Sequence, residues 1–383
     1  MQLNNFDVAI FLRDYWQRKP LLLRNPWGNW RNPLMPDELA GLACEKDVES
    51  RLIIRTGDTW GLEHGPIAET RFTELGDRLW TLLVQAVDHH VPDVAALVEP
   101  FRFIPNWRVD DVMVSYAADE GGVGPHFDQY DVFLVQGLGK RRWQIGQTCE
   151  RDTELLPHDD LRLLAHFEAT EEWVLEPGDI LYLPPGIPHD GIAVGSDCMT
   201  YSIGFRAPSS SELIASWCDD LLANLDDDDR YADPGLLMQG NPGEISAQAI
   251  AKLHEMAIAK MLDRDSFARW FGRYSSTRRY PDMDWQPDVA ISIDELRKAI
   301  ADGLVLYRNL ASRFSFVARD RGAILLFIDG ESFECTSEVA HFAKRLCAQA
   351  CIEVDPALMH SEAALALIAA LHNQGSVAFD SED

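Results

Sequence analysis

Between Phe101 and Ala207 the chain breaks into short runs of β-branched and aromatic residues separated by glycine and proline, and this punctuation limits the fold more than any other feature. Asp111 to Tyr116, Tyr130 to Gln136, Arg141 to Gly146, Glu172 to Leu175, Asp179 to Leu183 and Met199 to Arg206 each read as a short strand. Gly121, Gly122, Gly124 and Pro125 stand before one of these runs, and Pro184, Pro185, Gly186 and Pro188 follow another. Those residues make the corners that a small closed sheet requires. Many short strands with such corners imply a closed or double-layered β fold.

Within this region His126 and Asp128 are two apart in an extended run, and strand geometry puts residues i and i+2 on one face. A second imidazole, His189, follows the run Asp179 to Leu183 across the Pro-Pro-Gly turn. If the two segments face each other, two His and one carboxylate approach a metal from one side and leave the opposite positions open. That ligand set suits a non-haem Fe(II) oxygenase. Arg141, on a later strand, has a guanidinium able to bind a carboxylate through two parallel hydrogen bonds. Alternation turns its neighbours Lys140 and Arg142 to the other face.

His126-x-Asp128, the distant His189, a basic residue on the intervening strand and the turn PPGIPHDG together resemble the JmjC-type 2-oxoglutarate oxygenases. The opening FLRDYWQRKPLLLRN, a helix ending in Tyr-Trp followed by a proline and a short strand, adds to the likeness. DQYDVFLVQGLGKRRW and YSIGFRAP are most similar to the bacterial ribosomal oxygenases, which hydroxylate an arginine of the sixteenth protein of the large ribosomal subunit. The resemblance implies an α+β chain with a double-stranded β-helix barrel (jelly-roll or cupin, JmjC-type) carrying N-terminal helices. It also implies His126, Asp128 and His189 as ligands of Fe(II), and 2-oxoglutarate and O₂ as co-substrates. Arg141 is expected to take the distal carboxylate of 2-oxoglutarate, assisted by the hydroxyls of Ser115 and Ser202. The expected reaction is hydroxylation at C3 of an arginine, with Tyr130, Asp131 and Asp119, and Glu120 beside it, as candidates to grip the substrate.

The rest of the chain is read from pattern. Phe6 to Arg18 has helical spacing, and Leu21 to Leu23 continues as a short strand. Arg51 to Thr56 reads as a strand. Thr70 to His90 reads as a helix pair with Leu75, Leu79, Leu82, Leu83 and Val87 on one face. Trp27, Trp30, Trp60 and Trp80 read as packing, with Trp60 the one to test as a ligand platform. After Pro208 come apolar helical stripes over 210–225, 246–262 and 266–274, interrupted by the acidic tetrad Asp226 to Asp229. The resemblance makes 208–276 a dimerisation region following a catalytic domain at 1–207. The final part, 277–383, carries a capping box at Ser292 and Glu295, a hairpin around Asp320 to Gly322 and two closing helices at 337–350 and 361–371. Its order resembles a winged helix.

Bulk properties restrict the partners. The chain of 383 residues carries 62 acidic against 34 basic side chains, a net charge of −28. Such a surface repels phosphate and attracts a cationic protein, which agrees with the basic ribosomal protein that the resemblance implies as substrate; direct nucleic-acid binding is not expected. No apolar run reaches the roughly 20 residues of a membrane span. The N-terminus lacks the pattern of a secretory signal, and seven cysteines form no framework, with Cys347 and Cys351 expected as buried packing one turn apart on a helix. A cytoplasmic homodimer is the expectation. Two other readings stay open: a non-catalytic metal-binding barrel joined to a winged helix and acting as an adaptor, or the same chemistry on a histidine residue or RNA.

Overall fold

The computed structural model describes residues 3–57, 59–149, 153–158, 160–225 and 230–379, so the acidic tetrad Asp226 to Asp229 lies outside the described residues. The chain divides into two compact units, Met1–Ala207 and Pro208–Asp383.

The first unit is built on one large antiparallel sheet. Its strands are β1 (Leu21–Leu23), β2 (Ser50–Thr56), β3 (Thr59–His64), β4 (Trp80–Val84), β5 (Val109–Ala117), β6 (Asp131–Ile145), β7 (Glu171–Leu175), β8 (Ile180–Leu183) and β9 (His189–Phe205). They run in the order β1-β8-β6-β9-β5-β4-β2-β3, with β7 pairing the second half of β6 on the same flank that β8 pairs in the first half. One face packs on the N-terminal helices Val8–Asp14 and Pro36–Cys44 through Phe11, Leu39, Phe101, Val112, Val114, Phe133, Val135, Tyr182, Tyr201 and Phe205. The opposite face curls inward, with Val132, Leu134, Trp143, Ile145, Leu175, Leu181 and Leu183 forming a separate cluster inside the barrel.

Two runs expected as separate strands are one. Tyr130 to Gln136 and Arg141 to Gly146 both lie in β6, which pairs with β9 over its whole length, with register shifts at Gln136/Leu138 and Leu138/Lys140. A bulge of this kind sets two residues of one strand against one of its partner. Val132 and Leu134 point inward at even positions, whereas Trp143 and Ile145 do so at odd ones. The bulge is therefore what turns Arg141 to the inner face. Strand β9 changes phase at the same level, since Cys198 and Ala193 pack in one cluster with Ala117.

The helix pair expected over 70–90 is not formed. Glu69–Glu74 is a short α-helix and Val87–His89 a single 3-10 turn, and between them Trp80–Val84 is a strand held between β2 and β5. The leucine spacing suited a helix, but pairing on both flanks satisfies the backbone in the sheet and overrides that preference. Leu79, at φ 67°, makes the turn into it.

The second unit opens with helices Ser210–Ala223, Ala247–Ala259 and Arg264–Ser276. Ser292 with Glu295 forms the capping box that its spacing suggested, and Ser209 with Glu212 forms another. Helices Ile293–Ala301, Ser337–Ala348 and Glu362–Asn373 bury Leu296, Ile300, Leu346, Leu365 and Ile368 in one core. The expected hairpin is present as Phe314–Ala318 with Ile324–Ile328, and a further strand, Glu331–Cys335, extends it to three. Val305–Arg308 lies between Cys351–Glu353 and Val377–Phe379. Cys347 is buried on its helix, but Cys351 is exposed at the start of a strand, so the expected one-turn pair is not formed. Helix Arg264–Ser276 rests on these strands, and a Cβ at Gly272 would come within 2.2 Å of the Phe327 ring.

Candidate metal centre

His126 and His189 are joined by a reciprocal backbone pair, His126 N to His189 O at 3.0 Å and His189 N to His126 O at 2.8 Å. This isolated bridge, not a continuous strand, is what faces the two imidazoles toward each other, with ring centroids 4.4 Å apart. Asp128 is fixed by its backbone carbonyl, which accepts from Gly186 N at 2.8 Å in the Pro-Pro-Gly turn. His189 Nε2 and Asp128 Oδ2 are 3.7 Å apart, and one ligand atom from each of His126, Asp128 and His189 lies within 4.8 Å of the others. Among the described residues this is the group whose geometry suits a metal ion.

The second nitrogen of each ring is already engaged. His126 Nδ1 meets Gly124 O at 2.8 Å, and His189 Nδ1 meets Ile187 O at 3.0 Å. A ring that donates through Nδ1 presents the lone pair of Nε2, the tautomer a metal requires. Burial and the neighbouring His126 lower the His189 pKa to about 4, so its imidazole is neutral at physiological pH. Two close approaches hold this arrangement. Gly124, at φ 94°, admits the Trp60 ring to 2.8 Å of where a Cβ would stand, and Gly191 admits Trp143 to 2.5 Å. Trp143 then packs on the His189 ring with centroids 5.7 Å apart. Trp60 joins Ile53, Leu83, Leu161 and Leu163 in a packed cluster.

Arg141 sits on the same inner face and is 3% exposed. Its Nε donates to Cys198 Sγ at 3.4 Å, while Nη2 is buried with no hydrogen-bond partner. A buried cationic donor left open is costly unless a ligand completes it. Ser115, also buried, donates to Thr200 O at 3.4 Å. Ser202 lies between Met113 and Leu134 in the sheet register. Both serines point inward with Cys198 and Thr200 by strand alternation.

The residues named for substrate separate. The Tyr130 ring is 42% exposed, and burial of its hydroxyl with the negative charge of Asp128 holds the phenol protonated. Asp131, one residue on, faces the other way. It is wholly buried and accepts from Tyr182 Oη at 2.6 Å, Gln17 Nε2 at 2.9 Å and Arg108 Nη2 at 2.9 Å, so it ties the turn after the N-terminal helix to the sheet and does not line the mouth. Asp119 is engaged with Gly195 N at 2.8 Å and with Arg78, which also pairs with Glu120 at 2.6 Å.

Comparison with known proteins bears on this geometry. Residues 96–213 match the model of the JmjC domain, and residues 257–378 match the ROXA-like winged helix. The ribosomal protein uL16 3-hydroxylase of Escherichia coli is 38% identical over 365 residues, covering 95% of each chain. The chain belongs to the JmjC-domain ribosomal oxygenases. A probable ribosomal oxygenase of Haemophilus influenzae is 44% identical over 207 residues, 54% of this chain and 51% of that one. The X-ray structure of E. coli YcfD superposes with a TM-score of 0.91 at 36% identity, covering 99% of this oxygenase and all of that chain. A complex of YcfD with cobalt and 2-oxoglutarate gives 0.87, covering 99% of both. The donor set found here fits such an occupant: two imidazole nitrogens and a carboxylate for a divalent ion, and a buried guanidinium with an unpaired Nη2 for a dicarboxylate.

Proposed function

We propose that this oxygenase hydroxylates an arginine side chain of ribosomal protein uL16, using Fe(II), 2-oxoglutarate and O₂. The observation that carries the reading is the convergence of His126, Asp128 and His189 at one face of the barrel, with the open Arg141 guanidinium on the same inner wall. Bound iron and 2-oxoglutarate supply the activation of O₂ and the insertion of one oxygen atom into a C–H bond, with release of succinate and CO₂. His126, Asp128 and His189 hold the metal through one side only, and the neutral state of His189 keeps its lone pair available. Arg141 pairs with the distal carboxylate, with Ser202 on the adjacent strand β9 and Ser115 on β5 beyond it, and so fixes the co-substrate's reach. Tyr130 offers a ring face on which a guanidinium stacks. Asp119, already paired, contributes charge more than contact. A net charge of −28 favours approach of a basic ribosomal protein.

The proposal extends to assembly and location. Helix Ala247–Ala259 buries none of its residues within the chain, and Ile214, Leu222, Ile250 and Leu253 are exposed apolar side chains on it and on Ser210–Ala223. A second copy covering residues 208–276 would bury them, and a monomeric mass in solution would refute that. The third region, 277–383, is assigned to protein contact, and the whole enzyme to the cytoplasm, where ribosomes are made. The deciding experiment measures succinate formation with Fe(II) and a uL16 peptide, together with the intact mass of uL16 from cells lacking this chain. The reading predicts a 16 Da mass increment that disappears on deletion; an unchanged mass would remove uL16 as the substrate.

A further inference from the structure

The inner wall of the barrel carries a hydrogen-bonded row that metal and carboxylate binding alone do not call for. Thr200 Oγ1 donates to Gln136 Oε1 at 3.2 Å. Gln136 Nε2 donates to Leu138 O at 2.7 Å and to Cys198 Sγ at 3.5 Å. Arg141 Nε donates to the same sulfur at 3.4 Å. Gln136, Cys198 and Thr200 are all closed to solvent. The row therefore ends on a guanidinium whose far nitrogen, Nη2, is buried and has no partner.

We infer that Cys198 is a positioning residue for the co-substrate: its sulfur, held by Gln136, which Thr200 holds in turn, pins Arg141 by Nε and aims the free side of the fork into the barrel. This rests on the oxygenase reading of the site. Arginine reaches its charge through a flexible stem, and a guanidinium fixed at one nitrogen has few ways left to present the others. A thiol sulfur is a weak acceptor, so two N–H donors converging on one is a poor exchange for packing alone. The surroundings agree with a role in orientation. Ala117 and Ala193 are the small buried neighbours of Cys198, which leaves room beside the sulfur for the arginine stem. The bulge in β6 lies between Gln136 and Arg141, so the row also ties the two halves of that strand together across it. What the row would set is co-substrate chain length, because the distance from metal to guanidinium decides which keto acid spans them.

The test uses the full chain loaded with Mn(II), measuring 2-oxoglutarate affinity by calorimetry, with steady-state turnover under Fe(II) alongside. Cys198→Ala is expected to weaken 2-oxoglutarate binding about tenfold, the loss of one hydrogen bond to a charged group. It should leave kcat at saturating co-substrate unchanged and should narrow the preference for 2-oxoglutarate over keto diacids one carbon shorter or longer. Cys198→Ser, which restores an acceptor, should recover part of both effects. Arg141→Met is the control for the reading beneath. If Arg141→Met loses binding while Cys198→Ala keeps wild-type affinity and chain-length preference, the positioning inference is overturned and the oxygenase reading stands. If Arg141→Met binds normally, the carboxylate partner of the co-substrate lies elsewhere and the positioning inference falls with it, while the metal cluster is untouched. Should circular dichroism find Cys198→Ala unfolded, Thr200→Val replaces it: a rise of about threefold in dissociation constant with kcat intact supports the row, and no change overturns it.

Discussion

Replacing Arg141 by methionine separates a ligand-binding arginine from a structural one. A structural buried arginine has its donors satisfied inside the protein, and removing it destabilises the fold. Arg141 is 3% exposed, yet its contacts are one donation to a cysteine sulfur at 3.4 Å and a guanidinium carbon 5.7 Å from the Trp143 ring centroid, with Nη2 unpaired. A buried donor left open costs about 1–3 kcal/mol, so the methionine variant without ligand is expected to unfold within about 1 kcal/mol of the wild type. A carboxylate arriving at Nη2 gains a charge-assisted bond of about 1.5–3 kcal/mol, and its loss weakens 2-oxoglutarate roughly 10- to 150-fold. The assay pairs urea unfolding of the metal-loaded protein without co-substrate against the rise in melting temperature on adding 2-oxoglutarate. The wild type should gain and the variant should not. Retention of the ligand-induced rise, or a loss of more than about 3 kcal/mol in the variant without co-substrate, would refute the argument.

Other outcomes follow from the same geometry. His189→Ala should abolish turnover and lower Mn(II) affinity, read by electron paramagnetic resonance, by at least about 100-fold while the far-ultraviolet dichroism is kept. Burial, then the nearby charge of Asp111, pushes the Asp88 carboxyl up to about 8, while the unfolded chain releases this proton near 4. The folded state then holds the extra proton between these values, so its contribution is complete below about pH 4 and is lost as pH rises toward 8, at up to about 1.4 kcal/mol per pH unit. Asp88→Asn keeps an acceptor for Val112 N, bonded at 2.8 Å, and should flatten that slope in urea melts at pH 5 and 8; parallel curves would count against it. In the second unit Arg278 and Asp329 pair at 2.8 Å with side chains 11% and 8% exposed, and Ser312 donates to Asp329 at 2.7 Å. Asp329→Ala should cost about 3–5 kcal/mol by leaving that guanidinium buried without its carboxylate, measured on the unfolding step of this unit.

The cluster of His126, Asp128 and His189 was legible because its signal is local: His126 and Asp128 are two residues apart, and His189 stands at the end of a Pro-Gly turn whose geometry is fixed by residue type. Arg141 was singled out by the resemblance, and alternation separates it from Lys140 and Arg142, but that it faces inward depends on the bulge in β6. Long-range pairing was not. Trp80 to Val84 has leucines that suit a helix or a strand equally, and only the flanking strands β2 and β5 decide between them. Asp131 illustrates the limit within the site itself. Its place beside Tyr130 suggested the mouth, but which of two adjacent residues points inward depends on a strand's phase, and Asp131 meets Tyr182, Gln17 and Arg108 on the outer side. The row from Thr200 to Cys198 left no trace in composition, because a glutamine, a threonine and a cysteine in strands are ordinary until register brings them together.

The irregularity in β6 bears on how such a site tolerates change. Lys140, Arg141 and Arg142 are three consecutive cations, of which Lys140 faces out to Glu176 at 2.6 Å. A one-residue insertion or deletion between Gln136 and Lys140 would slide a different member of this triplet into the barrel. The interior would still receive a positive charge, with altered length and hydrogen-bonding shape. Drift at this kink offers a lineage a way to retune its keto-acid preference without ever passing through a neutral slot.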